Sequence, residues 1–230
     1  MLRALAAALL MIAPVPAALA EDLAGLEALK AAMSGLYVVV PKNTETGEAV
    51  KDVRTDAEGG EPRSVVVAFL DAEAAASDII EAGIGEKSEG GLINAADLMA
   101  ATSGEVTWIT SPANASLVNG QRDRPPVFYI TNPADEPLTS VIGGEPKIVF
   151  YVDADAADAA RVAAQNLLSA SGQPMTLSVV AGDFEALIGG IQSGDVQGAH
   201  LASSPSVVRW VEQWQAGARL IKDYKPATVD

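Results

Sequence analysis

The chain has 230 residues, a formal net charge of −15, one histidine and no cysteine. That charge opposes binding to nucleic acid or to anionic membrane surfaces. The lack of cysteine excludes disulfides and thiolate metal sites, so the fold must rest on its apolar core.

Residues 1–20 read as an export leader: Arg3, an apolar run from Ala4 to Ala13, helix-breaking Pro14 and Pro16, then Ala18-Leu19-Ala20 ahead of Glu21. Cleavage after Ala20 removes one positive charge, leaving a net charge of −16 on a mature chain long enough for one domain or two fused halves. No later stretch reaches the roughly 18–20 apolar residues of a membrane-spanning helix. The expected location is therefore the periplasm, without stable membrane insertion.

A helix is expected over Asp22–Ser34, with Leu23, Leu26, Leu29 and Met33 as its apolar stripe and Gly35 as its stop. Leu36–Val40 reads as a strand ended by Pro41, and Lys42–Arg63 as a polar, turn-rich segment with an optional edge strand at Glu48–Arg54. Val65–Leu70 is a strand and Ala72–Ala82 a helix. A linker over Gly83–Gly91 leads to a short helix through Ala101, then a strand Val106–Ile109 and a helix Pro112–Val118. After a linker-like Gln121–Pro126 come strands Val127–Thr131 and Leu138–Ile142. A strand Ile148–Val152 and a helix capped by Asp153 and stopped by Gly172 follow. Met175–Val180 and Ala199–Ala202 read as strands and Asp183–Ile191 as a helix. A last helix is capped by Ser204, and Lys222–Asp230 reads as a tail.

The order repeats. GGEPRSVVVAFLDAEAAASDII from Gly59 matches GGEPKIVFYVDADAADAARVAA from Gly143; Ile93–Leu98 matches Val179–Phe184; Thr110-Ser111-Pro112 matches Ser203-Ser204-Pro205. These matched segments, in one order, indicate an internal duplication. The expected fold class is α/β (α+β): two similar halves at 21–121 and 122–221, related by a pseudo-twofold axis, each a small mixed sheet with packed helices. Residues 222–230 are expected as a tail.

The segment PPVFYITNPADEPL, the strand leading into DADAADAARVAAQNLL, and the two Ser-Pro elements ending in Val118 and Val211 carry a resemblance. They resemble the family named after the twenty-two-kilodalton subunit of the chloroplast inner-envelope translocon, over most of residues 23–216. The turn departs from the family pattern at Glu136, where the pattern has glycine. The resemblance implies a duplicated αβ protein of the periplasm or chloroplast intermembrane space, acting as a chaperone in import or outer-membrane biogenesis.

Catalytic chemistry finds little support in the residues. His200 stands alone beside a strand, without a nucleophile or orienting partner in its motif. An EF-hand counted from Asp153 would place Ala157, Asp158 and Ala164 where a ligand, the glycine and the bidentate glutamate are required. Capping and dipole complementarity account better for Asp153, Asp155 and Asp158. Neither an enzymatic activity, a metal nor a cofactor is expected.

Binding features remain. Trp108, Trp210 and Trp214 fall on or beside the Ser-Pro elements, and Val207, Trp210, Val211 and Trp214 form one stripe. One reading is core packing. The other is a client-binding groove in each half, lined by Trp108, Val207, Trp210, Val211 and Trp214 and holding unfolded polypeptides, outer-membrane proteins among them. Two functions follow: a transport factor or chaperone with many clients, or a binding module for one fixed partner or small ligand.

Overall fold

The computed structural model describes residues 17–54 and 62–227. The expected leader lies mostly outside the described residues, and the first helix, α1, runs Ala17–Ala32. The first half then contains β1 (Tyr37–Asn43), β2 (Lys51–Arg54), β3 (Arg63–Phe69), α2 (Ala72–Glu81), β4 (Ser88–Asn94), α3 (Ala95–Ala101), β5 (Val106–Ile109) and α4 (Pro112–Ser116). The second contains β6 (Pro126–Thr131), β7 (Thr139–Ile142), β8 (Glu145–Tyr151), α5 (Ala154–Ala170), β9 (Ser178–Asp183), α6 (Phe184–Ser193), β10 (Ala199–Ala202) and α7 (Pro205–Gln215).

Each half builds one mixed sheet of five strands with the same connectivity. The first has the order β2-β3-β1-β4 with β5 parallel to β3, and the second has β9 beside β6, β6 beside β8, and β10 parallel to β8 with β7 also on β8. The repeated strands β3 and β8 thus occupy one topological position, as the duplication requires. Their helices are capped alike: Asp71 accepts from the Ala74 N–H at 2.7 Å and Asp153 from the Ala156 N–H at 2.9 Å. Ser111 and Ser204 cap α4 and α7, each with proline at the first helical position. At Gly143-Gly144 both φ angles are positive, 63° and 87°, as a tight two-residue turn between β7 and β8 demands.

Several boundaries differ from the expected ones. Pro41 does not end β1 but continues it opposite Gly90, with its carbonyl accepting the Val50 N–H at 2.7 Å. Gly83–Gly91 is not a linker: Gly90 and Gly91 lie inside β4, after a single 3-10 turn at Gly85–Lys87. The caps align Asn94, not Asp97, with Asp183, because either amide or carboxylate side chain can accept at that position. The expected tail from Lys222 is packed at its start: it continues the turn at Ile221–Asp223, and Tyr224 is 8% exposed.

One core draws on both sheets. Val38, Val40, Ala68 and Trp108 from the first meet Val127, Phe150, Val152 and Leu201 from the second, with Leu29 and Met33 of α1 and Phe184, Ile188 and Ile191 of α6. A second core forms on the opposite face of the first sheet, from Val39 and Phe69, α2, α7, Ile221 and Tyr224. The halves are also tied reciprocally at their helix starts. Ser206 Oγ donates to the Asp71 carboxylate at 2.8 Å and accepts the Ala72 N–H at 2.9 Å. Asn114 bonds the Asp153 carboxylate at 3.3 Å and accepts the Ala154 N–H at 3.1 Å.

Candidate functional site

The five residues expected to line grooves are placed unequally. Trp108 lies in the shared core, 4% exposed, its ring edge-on to Phe184 at 5.4 Å. Val207 and Trp210 are fully buried in the second core, and Trp210 Nε1–H donates to the Gly90 carbonyl at 3.0 Å. All three are structural: Trp108 fills the core between the sheets, and Val207 and Trp210 pack with α2 on the outer face of the first sheet. Val211 and Trp214 are half-buried; the Trp214 ring is 6.0 Å from that of Trp210 and lies beneath the Arg219 guanidinium at 4.4 Å. With Trp108, Val207 and Trp210 buried, the five do not line the expected groove in each half.

An apolar pocket of about 500 Å³ opens instead in the second half. It is built by strand alternation. Val127 and Tyr129 of β6 point to the same face as Ile148 and Phe150 of β8, while Phe128 and Ile130 point to the other. Leu187 of α6 and Val196 close it, and Asp183 and Asp195 stand at its margin. The Tyr129 and Phe150 rings are 5.5 Å apart, which fixes the pocket floor. Sequence reasoning passed over these residues, although the alternation Val127-Phe128-Tyr129-Ile130 already marked two faces. A wider cleft of about 1390 Å³ lies between α1, α3 and the end of α6, lined by Leu26, Met99, Ile191 and polar residues such as Ser103 and Gln192.

The titratable groups are held in structural roles. Burial, partly offset by the bonds from Ala74 and Ser206, pushes the Asp71 carboxyl above its ordinary value. Its Ser206 partner bonds Ser204 Oγ at 2.9 Å, giving a chain of hydroxyls and a carboxylate that joins two helix N-termini across the halves. His200 is half-buried on β10; burial first, and Lys147 second, hold its imidazole below its usual value. Its ring lies against the α1–β1 turn, where a Cβ on Gly35 would come within 2.8 Å of it. Asp158 pairs with Arg161 at 2.8 Å, and Asp153 serves as a cap.

No family model and no curated protein matches the chain. Among solved structures it is similar to Anabaena Tic22, described as a protein of protein transport. The TM-score is 0.58 at 13% identity, covering 82% of this chain and 96% of that one. It is also similar to Tic22 from Plasmodium falciparum, with a TM-score of 0.53 at 15% identity, covering 83% of this chain and 98% of the other. Both likenesses span the two sheets, and the chain has the Tic22-like fold.

Proposed function

We propose that the protein is a non-enzymatic transport factor of the periplasm, with chaperone character, that holds unfolded or membrane-bound client polypeptides on apolar surfaces. The observation that carries the reading is the apolar pocket of the second half, open at the face of a sheet and walled by Tyr129, Ile148, Phe150 and Val196. It is set in a fold similar to a structure described as a protein of protein transport. The acidic surface, with a net charge of −15, would keep client-free protein dispersed. Among the described residues no helix is long and apolar enough to cross a membrane.

The test has two arms. Cell fractionation with intact mass is expected to give a protein starting at Glu21 in the periplasmic fraction. The purified protein is expected to suppress aggregation of an unfolded outer-membrane protein, and Val196→Glu in the half-buried pocket wall to lose that activity while unfolding at the wild-type temperature. No suppression by wild type would overturn the chaperone reading. A second reading rests on the pocket's size, which falls in the range of about 300–1,000 Å³ typical of small-ligand sites. Stoichiometric binding of one compound or one protein, without aggregation suppression, would favour it.

A further inference from the structure

The two sheets differ at one edge. In the first, the outer edge of β4 is occupied: the Gly90 N–H donates to the Arg219 carbonyl at 3.0 Å and the Gly90 carbonyl accepts from Trp210 at 3.0 Å. Glu89 forms a bridge with Leu220 beside it. The matching strand in the second sheet is β9. The Ala95 N–H bonds the Leu36 carbonyl at 2.9 Å and the Phe184 N–H bonds the Pro125 carbonyl at 3.2 Å, so the two strand pairs share a register and Val179 stands where Gly90 does. Antiparallel alternation then turns the N–H and C=O groups of Val179 and Ala181 away from β6. Among the described residues no strand pairs with that edge. The strand reads Ser178-Val179-Val180-Ala181-Gly182-Asp183, without the proline or lysine that blunts edge strands.

We propose that the outer edge of β9 takes an extended segment of a partner polypeptide by strand addition, the segment carrying aliphatic residues flanked by lysine or arginine. The first half shows what such an edge accepts: Arg219-Leu220-Ile221-Lys222. A net charge of −15 opposes a second copy at this edge and favours a basic partner. The proposal rests on the polypeptide-binding reading above and gives it a geometry, main-chain bonds for affinity and alternate side chains for selection.

The probe is a synthetic peptide of Gly217–Tyr224, added at millimolar concentration to the intact, isotope-labelled protein, with amide exchange read by NMR. Exchange at Val179 and Ala181 is expected to slow by about tenfold or more, as for any newly paired strand amide. Ala181→Pro, which removes an outward donor and leaves the β6 ladder intact, is expected to abolish the slowing and to unfold close to wild type. Unchanged exchange in wild type overturns the proposal whatever the variant does. Equal slowing by a peptide with glutamate at the Arg219 and Lys222 positions overturns the partner chemistry, and slowing on raising the protein concentration alone makes a second copy the occupant and overturns it too. Aggregation suppression measured on the same samples separates the two readings: retained suppression with unchanged β9 exchange removes only this one.

Discussion

The outer face of the first sheet carries α2 and, packed beside it against β1 and β4, α7, the turn at Ile221–Asp223 and Tyr224; among the described residues the outer face of the second carries α5 without such a neighbour. Counting from the caps Asp71 and Asp153, Ala76 and Ile79 of α2 correspond to Asp158 and Arg161 of α5. The first pair is buried in the same core as α7 and Tyr224, while the second forms an ion pair in contact with water. Counting from Ser111 and Ser204, Trp210 corresponds to Leu117, but α4 has five residues against eleven in α7, and Leu117 is 63% exposed. The longer of the two duplicated elements packs beside α2, whereas the shorter leaves α5 without that neighbour, and α5 is polar there. The apolar pattern of each helix follows what packs beside it, not only the sheet beneath.

The same asymmetry reaches single atoms. Ser203 Oγ accepts the Tyr37 N–H at 2.7 Å and donates to the Gly35 carbonyl at 2.9 Å. Its counterpart Thr110 is fully buried with no hydrogen-bond partner for Oγ1 among the described residues. The residue matching Tyr37 is Pro126, which has no N–H to give.

The comparison breaks most visibly at the tryptophan. Trp210→Ala removes a fully buried indole and its bond to Gly90, and is expected to cost about 3–5 kcal/mol in denaturant unfolding. Leu117→Ala at the matching place is expected to stay within about 0.5 kcal/mol of wild type. Equal costs would show that the short helix is covered in solution.

A smaller effect is expected at Gly90. A Cβ there would meet Ile221 Cδ1 and Trp210 Cζ2 at 2.9 Å, while the second half has Val179 at the matching position. Gly90→Val, which copies the second half into the first, is expected to cost about 1–3 kcal/mol by overpacking. A neutral result would mean that the Trp210 ring can leave the strand freely.

These two sites also mark where the sequence was legible. The duplication, the caps Asp71, Asp153, Ser111 and Ser204, and the strands around Val65–Leu70 and Ile148–Val152 are local patterns stated twice, and the structure repeats them. Gly90-Gly91 read as a linker because glycine as punctuation and glycine under an indole look alike until the indole, 120 residues away, is placed. The tryptophans read equally as core or groove, since the stripe of α7 carries no mark of which surface it meets. Tyr224 escaped notice because a single aromatic in a polar ending has no period. The pocket around Tyr129 and Phe150 needed two strands from separate stretches to be adjacent.

Tyr224 offers a test of this packing by pH. Its hydroxyl accepts from Arg209 at 2.9 Å and donates to Glu73 at 3.2 Å, and burial first, with Glu73 second, pushes the phenol up to about 12. The folded state thus favours the neutral phenol, whereas the unfolded chain ionises near about 10. The stabilisation is present below pH of about 10 and is lost as pH rises from about 10 to about 12. Tyr224→Phe is expected to cost about 1 kcal/mol at neutral pH. The gap in melting temperature between wild type and variant is expected to close through that alkaline window. A gap that stays constant to the top of the window would show that the phenol is not held in that core.

The smallest effect is expected on α5, and it is the sharpest test of the idea that a packed neighbour dictates pattern. Arg161 is half-buried, pairs with Asp158 at 2.8 Å and reaches Gln165 Oε1 at 3.4 Å. An exposed pair one helical turn apart is worth only about 0.2–0.5 kcal/mol. Arg161→Ile gives α5 the residue that α2 carries at Ile79, but among the described residues no counterpart of α7 packs beside it to bury the new side chain further. Stability is therefore expected to change by no more than about 0.5 kcal/mol, in either direction. The added apolar area would join Val162 and Leu167, already 42% and 73% exposed, so self-association in sedimentation is expected to rise although the fold is intact. A clear gain in stability without association would mean that α5 has a packed neighbour of its own, and the contrast between the two halves would fall with it.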